Sequence, residues 1–251
     1  MPRTATSRQK HVAPPAVQRP RPRRLTDSAG QATDRRSQIV EAAAVLFAEF
    51  GYEATSVRQI ADSVSILSGS LYHHFTTKEE MLHALLQPRI AAMDADNRRL
   101  AALPADAERR LIASVVMRFR QYVDQWAFHT ILLQEGRFFR RQEEFAYVVA
   151  AKGQAFALQQ AILQQGMDSG LFRRDMDTYL MIGTIARMLS GAAAWFRSGD
   201  IFSSDKPSRY GLDMVIDFHV DSVLRLVRLP ERLGEPVPRG ESERLLQDSA
   251  G

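Results

Sequence analysis

Two serines flank a glycine, and an aromatic and two imidazoles follow: Ser68, Gly69, Ser70, Tyr72, His73 and His74. Their chemistry is hydrogen bonding at a surface rather than bond making. Hydroxyls and imidazoles reach phosphate oxygens and base edges. Small residues let the backbone beneath them approach another molecule closely. Arg58 lies ahead of this cluster and Lys78 just behind it. Arginine reads base edges or phosphates, and an ammonium beside the free N–H groups of a helix start can hold a phosphate. The His73–His74 pair does not suit a metal, because neighbours on a helix diverge and no third ligand is placed by spacing.

Bond-making groups are missing elsewhere too. No phosphate loop, nucleophile elbow or zinc motif occurs, and Asp175 and Asp177 sit before a helix, where they fit capping. No catalytic residue, metal or cofactor is expected. The chain has no cysteine, which excludes disulfides and thiolate metal sites and fits a reducing cytoplasm. No apolar run approaches the roughly 20 residues of a membrane helix. The basic N-terminus has no apolar stretch of the kind a secretory signal carries.

The elements that must position the cluster are helical. Apolar residues at Ile39, Ala42, Ala43, Leu46, Phe47 and Phe50 give one buried face, and Gly51 is a natural stop. Ser56 with Gln59 forms a capping box for a helix over 57–64, which buries Val57, Ile60, Ala61 and Val64. A joint at Ser65 leads into a short helix over 67–75, anchored by Leu71 and Phe75. Thr77 with Glu80 makes a second capping box, which starts a long helix over 78–103, in which Pro88 predicts a break or kink. Further amphipathic helices are expected over 107–126, 128–140, 143–169, 178–198 and 208–228, with Gly170 and Gly199 as stops. This makes an all-α chain of about nine helices, and no period-two strand pattern interrupts it.

Two helices joined by a tight turn have helix-turn-helix dimensions, and the second helix of such a unit enters the major groove. Residues 34–83 resemble the DNA-binding domain of TetR-family bacterial regulators. The resemblance rests on LFAEFGYEATSVRQIA and on SGSLYHHFTTKEEML. The stretch ILSGSLYHHFTTKEEML is similar to the subgroup of repressors that control steroid and related acyl-CoA catabolism. The resemblance implies DNA contacts at Ser56, Val57, Arg58, Ser68, Gly69, Ser70, Tyr72, His73, His74 and Lys78. For Val57 and His74 a packing role competes. Ser65 departs from the family pattern, which often has glycine at the joint.

The same resemblance implies a helical C-terminal domain with an effector pocket, and a homodimer formed by the last two helices. Such a dimer reads a palindromic operator in double-stranded DNA, with recognition helices about 34–36 Å apart. Helix 178–198 is rich in small residues and helix 208–228 is apolar over much of its circumference, which suits pairing. Candidate pocket residues are Met117, Phe119, Tyr122, Trp126, Phe138, Phe145, Phe156, Met188 and Trp195. His129, Gln134, Glu135 and Arg187 are candidates for a ligand's polar end. Arg137, Arg140, Arg141 and Lys152 form a basic cluster suited to phosphates, and ordinary packing competes at each apolar position. The implied protein is a cytoplasmic, nucleoid-associated repressor released by a small effector, with an acyl-CoA thioester as the expected class. The competing reading is a ligand-independent DNA-binding or architectural protein whose bundle only dimerises or recruits a partner; a filled bundle would favour it.

Charge placement completes the plan. Residues 1–30 carry seven cations and Asp27, a net of +6, while the whole chain nets +4, so the remainder nets −2. Residues 1–32 are therefore expected to be a disordered basic arm able to attract DNA phosphates. The helix-turn-helix domain is expected over 33–80, the effector and dimerisation domain over 81–229, and a loose tail over 230–251.

Overall fold

α1 (Ser28–Phe50) buries Ile39, Ala43 and Phe47 completely and stops at Gly51, whose φ of 88° suits glycine. A computed structural model describes residues 28–198 and 210–236, and among these every named element is helical. The basic arm up to residue 27 and the tail beyond 236 lie outside the described residues.

α2 (Val57–Ser63) carries the expected capping box: Ser56 Oγ accepts from Gln59 N at 3.2 Å, and Gln59 Oε1 accepts from Ser56 N at 2.8 Å. Ser65 then takes a φ of 57°. The serine adopts the left-handed conformation usually left to glycine, at a cost of about 1 kcal/mol. Ile66 N still donates to Ala61 O at 3.0 Å, so the joint keeps its geometry. α3 (Ser68–Leu71) is only four residues, and tight turns extend it to Phe75, whose N–H reaches Leu71 O at 3.1 Å.

α4 (Lys78–Ala102) is capped by Thr77, which accepts from Glu80 N at 3.1 Å. The Glu80 carboxylate accepts from Thr76 N at 2.8 Å and does not close the second capping box. The expected break at Pro88 does not occur, since α4 runs through it. Arg89 Nη1 donates to Leu85 O at 3.2 Å.

The C-terminal region comprises α5 (Ala107–Asp124), α6 (Trp126–Gln134), α7 (Gly136–Arg141), α8 (Ala146–Asp168), α9 (Thr178–Ser198) and α10 (Leu212–Val227). The helix expected over 128–140 divides at Glu135, where φ is −90° and ψ is 18°, so ten α-helices are described rather than nine. Asp106 and Asp177 cap α5 and α9 by accepting from Arg109 N at 2.8 Å and Leu180 N at 3.0 Å. The expected start of the last helix near 204–207 lies outside the described residues, and α10 begins at Leu212.

Two cores organise these helices. One joins α1–α4 to α6, α7 and the start of α8, so packing does not stop at residue 80. The other fills the space between the end of α4 and α5, α8, α9 and α10. Arg228 and Glu108 form a buried bidentate pair at 2.7 and 3.0 Å, which ties the end of α10 to the start of α5. Residues 230–236 are docked rather than loose: Arg232 Nη1 donates to Leu171 O at 3.2 Å, and Glu235 O accepts from Arg228 Nη1 at 2.8 Å.

Candidate functional site

The capped α2 and the tight Ser65 turn present α3 outward. Gly69, Ser70, Tyr72 and His73 are exposed, and Ser68 and His74 are half-buried. A Cβ placed on Gly69 would meet nothing within 4 Å, so no internal contact demands glycine there. Leu71 and Phe75 face inward and are buried. Arg58 is exposed and lies 3.9 Å from Asp62, one turn along. Val57 packs on the first core, and Ser56 is committed to the capping box. The cluster is thus a small, hydrogen-bonding surface held on a fixed core.

Lys78 is placed differently from its expected role. Its ammonium turns inward and donates to the carbonyls of Tyr52 at 2.7 Å, Thr55 at 3.0 Å and Glu53 at 3.3 Å. It also lies 4.4 Å from the centre of the Tyr52 ring. An ammonium has three donors, and these contacts use all of them. Burial lowers the Lys78 pKa, with Glu53, Glu79 and Glu135 opposing that shift. Any contribution to phosphate binding at this helix start falls to the backbone.

The 52–55 turn is also gripped from the other side. Glu135 Oε1 accepts from Tyr52 N at 2.9 Å, and Phe138 of α7 lies 4.9 Å from the Tyr52 ring. Burial, then the carboxylates of Glu79, Glu144, Glu135 and Glu53, push the Tyr52 phenol well above its ordinary value. Tyr52 therefore sits where the helix-turn-helix meets the C-terminal helices.

A cavity of about 220 Å³ opens between α5, α8 and α9. Leu111, Leu163, Ile185 and Leu189 supply apolar walls, and Ser114, Arg118, Tyr122, His129, Lys152 and Gln159 supply polar groups. Arg118 Nη1 donates to Gln121 Oε1 at 3.3 Å and Arg118 Nη2 donates to Asn97 Oδ1 at 2.5 Å. Burial lowers its pKa. Burial, helped by Arg118, pushes His129 down to about 3, so its imidazole is neutral at pH 7. Gln159 Oε1 accepts from Ser114 Oγ at 2.9 Å, while its Nε2 is buried without a partner among the described residues. The polar wall is rich in donors.

Family models match both halves of this architecture. Residues 39–85 match "Bacterial regulatory proteins, tetR family", and residues 104–217 match "Tetracyclin repressor-like, C-terminal domain". The HTH-type transcriptional repressor KstR2 of Mycobacterium tuberculosis is 34% identical over 188 residues, covering 75% of this chain and 94% of that protein. The chain belongs to the TetR family. It is a DNA-binding transcriptional repressor of the TetR type and not an enzyme. KstR2 of Rhodococcus jostii is 31% identical over 191 residues, covering 76% of this chain and 93% of that one. The solved ketosteroid regulator KstR2 of M. tuberculosis superposes with a TM-score of 0.67 at 31% identity, covering 78% of this chain and 95% of that chain. Among the described residues no helix is long and apolar enough to cross a membrane, and no three His, Asp or Glu gather as metal ligands.

Within this TetR-type fold the expected pocket residues divide. Tyr122, His129, Phe156 and Lys152 line the cavity. Met117 and Phe119 belong to the second core, and Phe138 and Phe145 to the first. Trp126 lies under the Arg197 guanidinium at 3.8 Å, Trp195 faces Tyr210, and Met188 packs at the edge of the second core. Arg187 and Gln134 are exposed, and Glu135 is spent on Tyr52. Ser114, Arg118 and Gln159 were missed. A signal existed: Leu111, Val115, Arg118 and Tyr122 recur at steps of three to four, so Arg118 interrupts an otherwise apolar stripe.

Proposed function

We propose that the protein is a homodimeric repressor whose hold on a palindromic operator is released by a small effector in the α5–α8–α9 cavity. The cavity carries this reading: a filled bundle would suit a ligand-independent protein, whereas this one holds an apolar chamber with donors along one wall. Exposed Gly69, Ser70, Tyr72 and His73 read the major groove, with Arg58 beside them and Val57 and His74 supporting from behind. Dimerisation is assigned to α9 and α10. There Met214 and Phe218 are 59% and 67% exposed, and among the described residues a Cβ placed on Gly183 or Gly191 would meet nothing within 4 Å.

An acyl-CoA thioester remains the effector class, consistent with similarity to KstR2. The cavity is smaller than the roughly 300–1,000 Å³ of drug-sized sites, so it takes a compact acyl body and leaves the CoA portion outside. Release follows only if the effector binds the operator-incompetent conformer more tightly. The test is fluorescence anisotropy on the protein's own promoter with a panel of CoA thioesters. Binding that is lost on adding one thioester is the expected result; binding indifferent to all of them refutes the effector reading.

A further inference from the structure

Given an effector in the cavity, we propose that Lys152 is the residue that detects it. An anionic oxygen on a compact apolar ligand draws the Lys152 ammonium off the Leu132 carbonyl and so loosens Glu135 from Tyr52. The inference rests on the effector reading above and deepens it.

Lys152, in the second turn of α8, borders the cavity and donates to Leu132 O at 2.7 Å. Leu132 lies in the last turn of α6, where carbonyls lack helical partners and a cation complements the helix dipole. That carbonyl is the one hydrogen-bond partner of Lys152 among the described residues, although an ammonium has three donors. The charge that acts on it is also unusual. It comes from Arg140, a second cation; burial first, and then this charge, lower the Lys152 pKa. A half-buried ammonium beside a guanidinium, with donors to spare at the wall of an apolar cavity, is stabilised by any anion that reaches it. Arg118 and the Gln159 Nε2 on the same cavity supply further donors.

The consequence is mechanical. Three residues after Leu132, Glu135 stands at the corner between α6 and α7 and accepts from Tyr52 N at 2.9 Å. Lys78, the first residue of α4, holds the Tyr52 carbonyl at 2.7 Å. The turn that leads into the Ser56 cap and α2 is thus hydrogen-bonded to the C-terminal helices through Glu135. The path from the cavity to this turn consists of the Lys152–Leu132 bond, the α6–α7 corner and the Glu135–Tyr52 bond. Loss of the first frees the last turn of α6, and the corner moves with it.

Amide exchange at Tyr52 in the full-length protein tests this. Lys152→Met is expected to speed that exchange about tenfold, the scale of one lost hydrogen bond, and Lys152→Arg to restore it. Exchange at Ile216, in the far core, should keep its wild-type rate, which separates local release from unfolding. 4-Cyclohexylbutanoate, a compact apolar acid, is expected to speed Tyr52 exchange in the wild type and to have no effect on Lys152→Met. Its methyl ester should have no effect on either. The CoA thioester of the same acid separates the sources of charge: a response to it alone, lost in Lys152→Met, places the anionic oxygen on the CoA portion. A Tyr52 rate in Lys152→Met within twofold of wild type overturns the proposal. So does equal action of acid and ester, or no response to acid or thioester at millimolar concentration. If the Tyr52 responses hold but no thioester releases DNA, the effector reading fails while the Lys152–Tyr52 coupling stands.

Discussion

Replacing Lys78 with methionine separates two roles for one ammonium. The side chain donates to three carbonyls at 2.7, 3.0 and 3.3 Å and covers the Tyr52 ring. Hydrogen bonds to charged groups contribute about 1.5–3 kcal/mol each when well formed and buried. Lys78 is only half-buried, so the set together is worth about 3 kcal/mol. For a chain of this size that corresponds to a fall in Tm of about 6–12 °C, followed by circular dichroism. The second readout is the salt dependence of operator binding. A phosphate contact adds about 0.9 to the slope of log K against log salt. Because this ammonium faces inward, Lys78→Met should weaken binding by deforming the 52–55 turn yet leave the slope unchanged. A variant with wild-type Tm and a slope reduced by about 1 per protomer would refute the inward role and restore the phosphate role.

Other outcomes follow from the same structure. Gly69→Ala should keep or slightly raise Tm, since a helical alanine is favoured and the Cβ meets nothing, yet weaken operator binding in a gel shift if the backbone there approaches the bases. Glu108→Gln should cost about 3–5 kcal/mol in urea unfolding, because it leaves the buried Arg228 guanidinium without its counter-charge. His129 is held at about 3, below its ordinary 6.5, so the unfolded chain binds more protons between those values. Its contribution is fully present above pH 6.5 and is lost as pH falls toward 3; His129→Gln should flatten that acid limb of stability. Phe218→Asp should shift sedimentation from dimer to monomer if α10 forms the interface, with operator affinity falling alongside.

Local features were legible in the sequence because their causes are local. The Ser56–Gln59 box, the Asp177 cap and the Gly51 stop depend on residues within a turn of one another. The break allowed at Pro88 does not occur because helix interruption is decided by packing: α4 is buried along Met81, Leu85, Leu86 and Met93, and these contacts carry it through the proline. Lys78 misled because its partners lie 23 to 26 residues upstream. The cavity was the least legible. Periodicity says which side chains point inward, but not which of them leave space between them. Phe145 and Leu111 share the same apolar signature and both are buried in a core, yet Leu111 also lines a chamber. The family pattern implied a ligand site in the C-terminal domain and could not choose the walls of the cavity there.

The most direct measurement titrates the protein onto duplexes selected from a random pool and repeats the titration with the effective thioester present. The expected result is a two-fold symmetric site bound by two protomers, with release on thioester addition in the wild type, and weaker binding that no longer responds to the thioester in Lys152→Met. Recovery of no sequence-specific duplex, or of a site bound equally with and without every thioester, would contradict it.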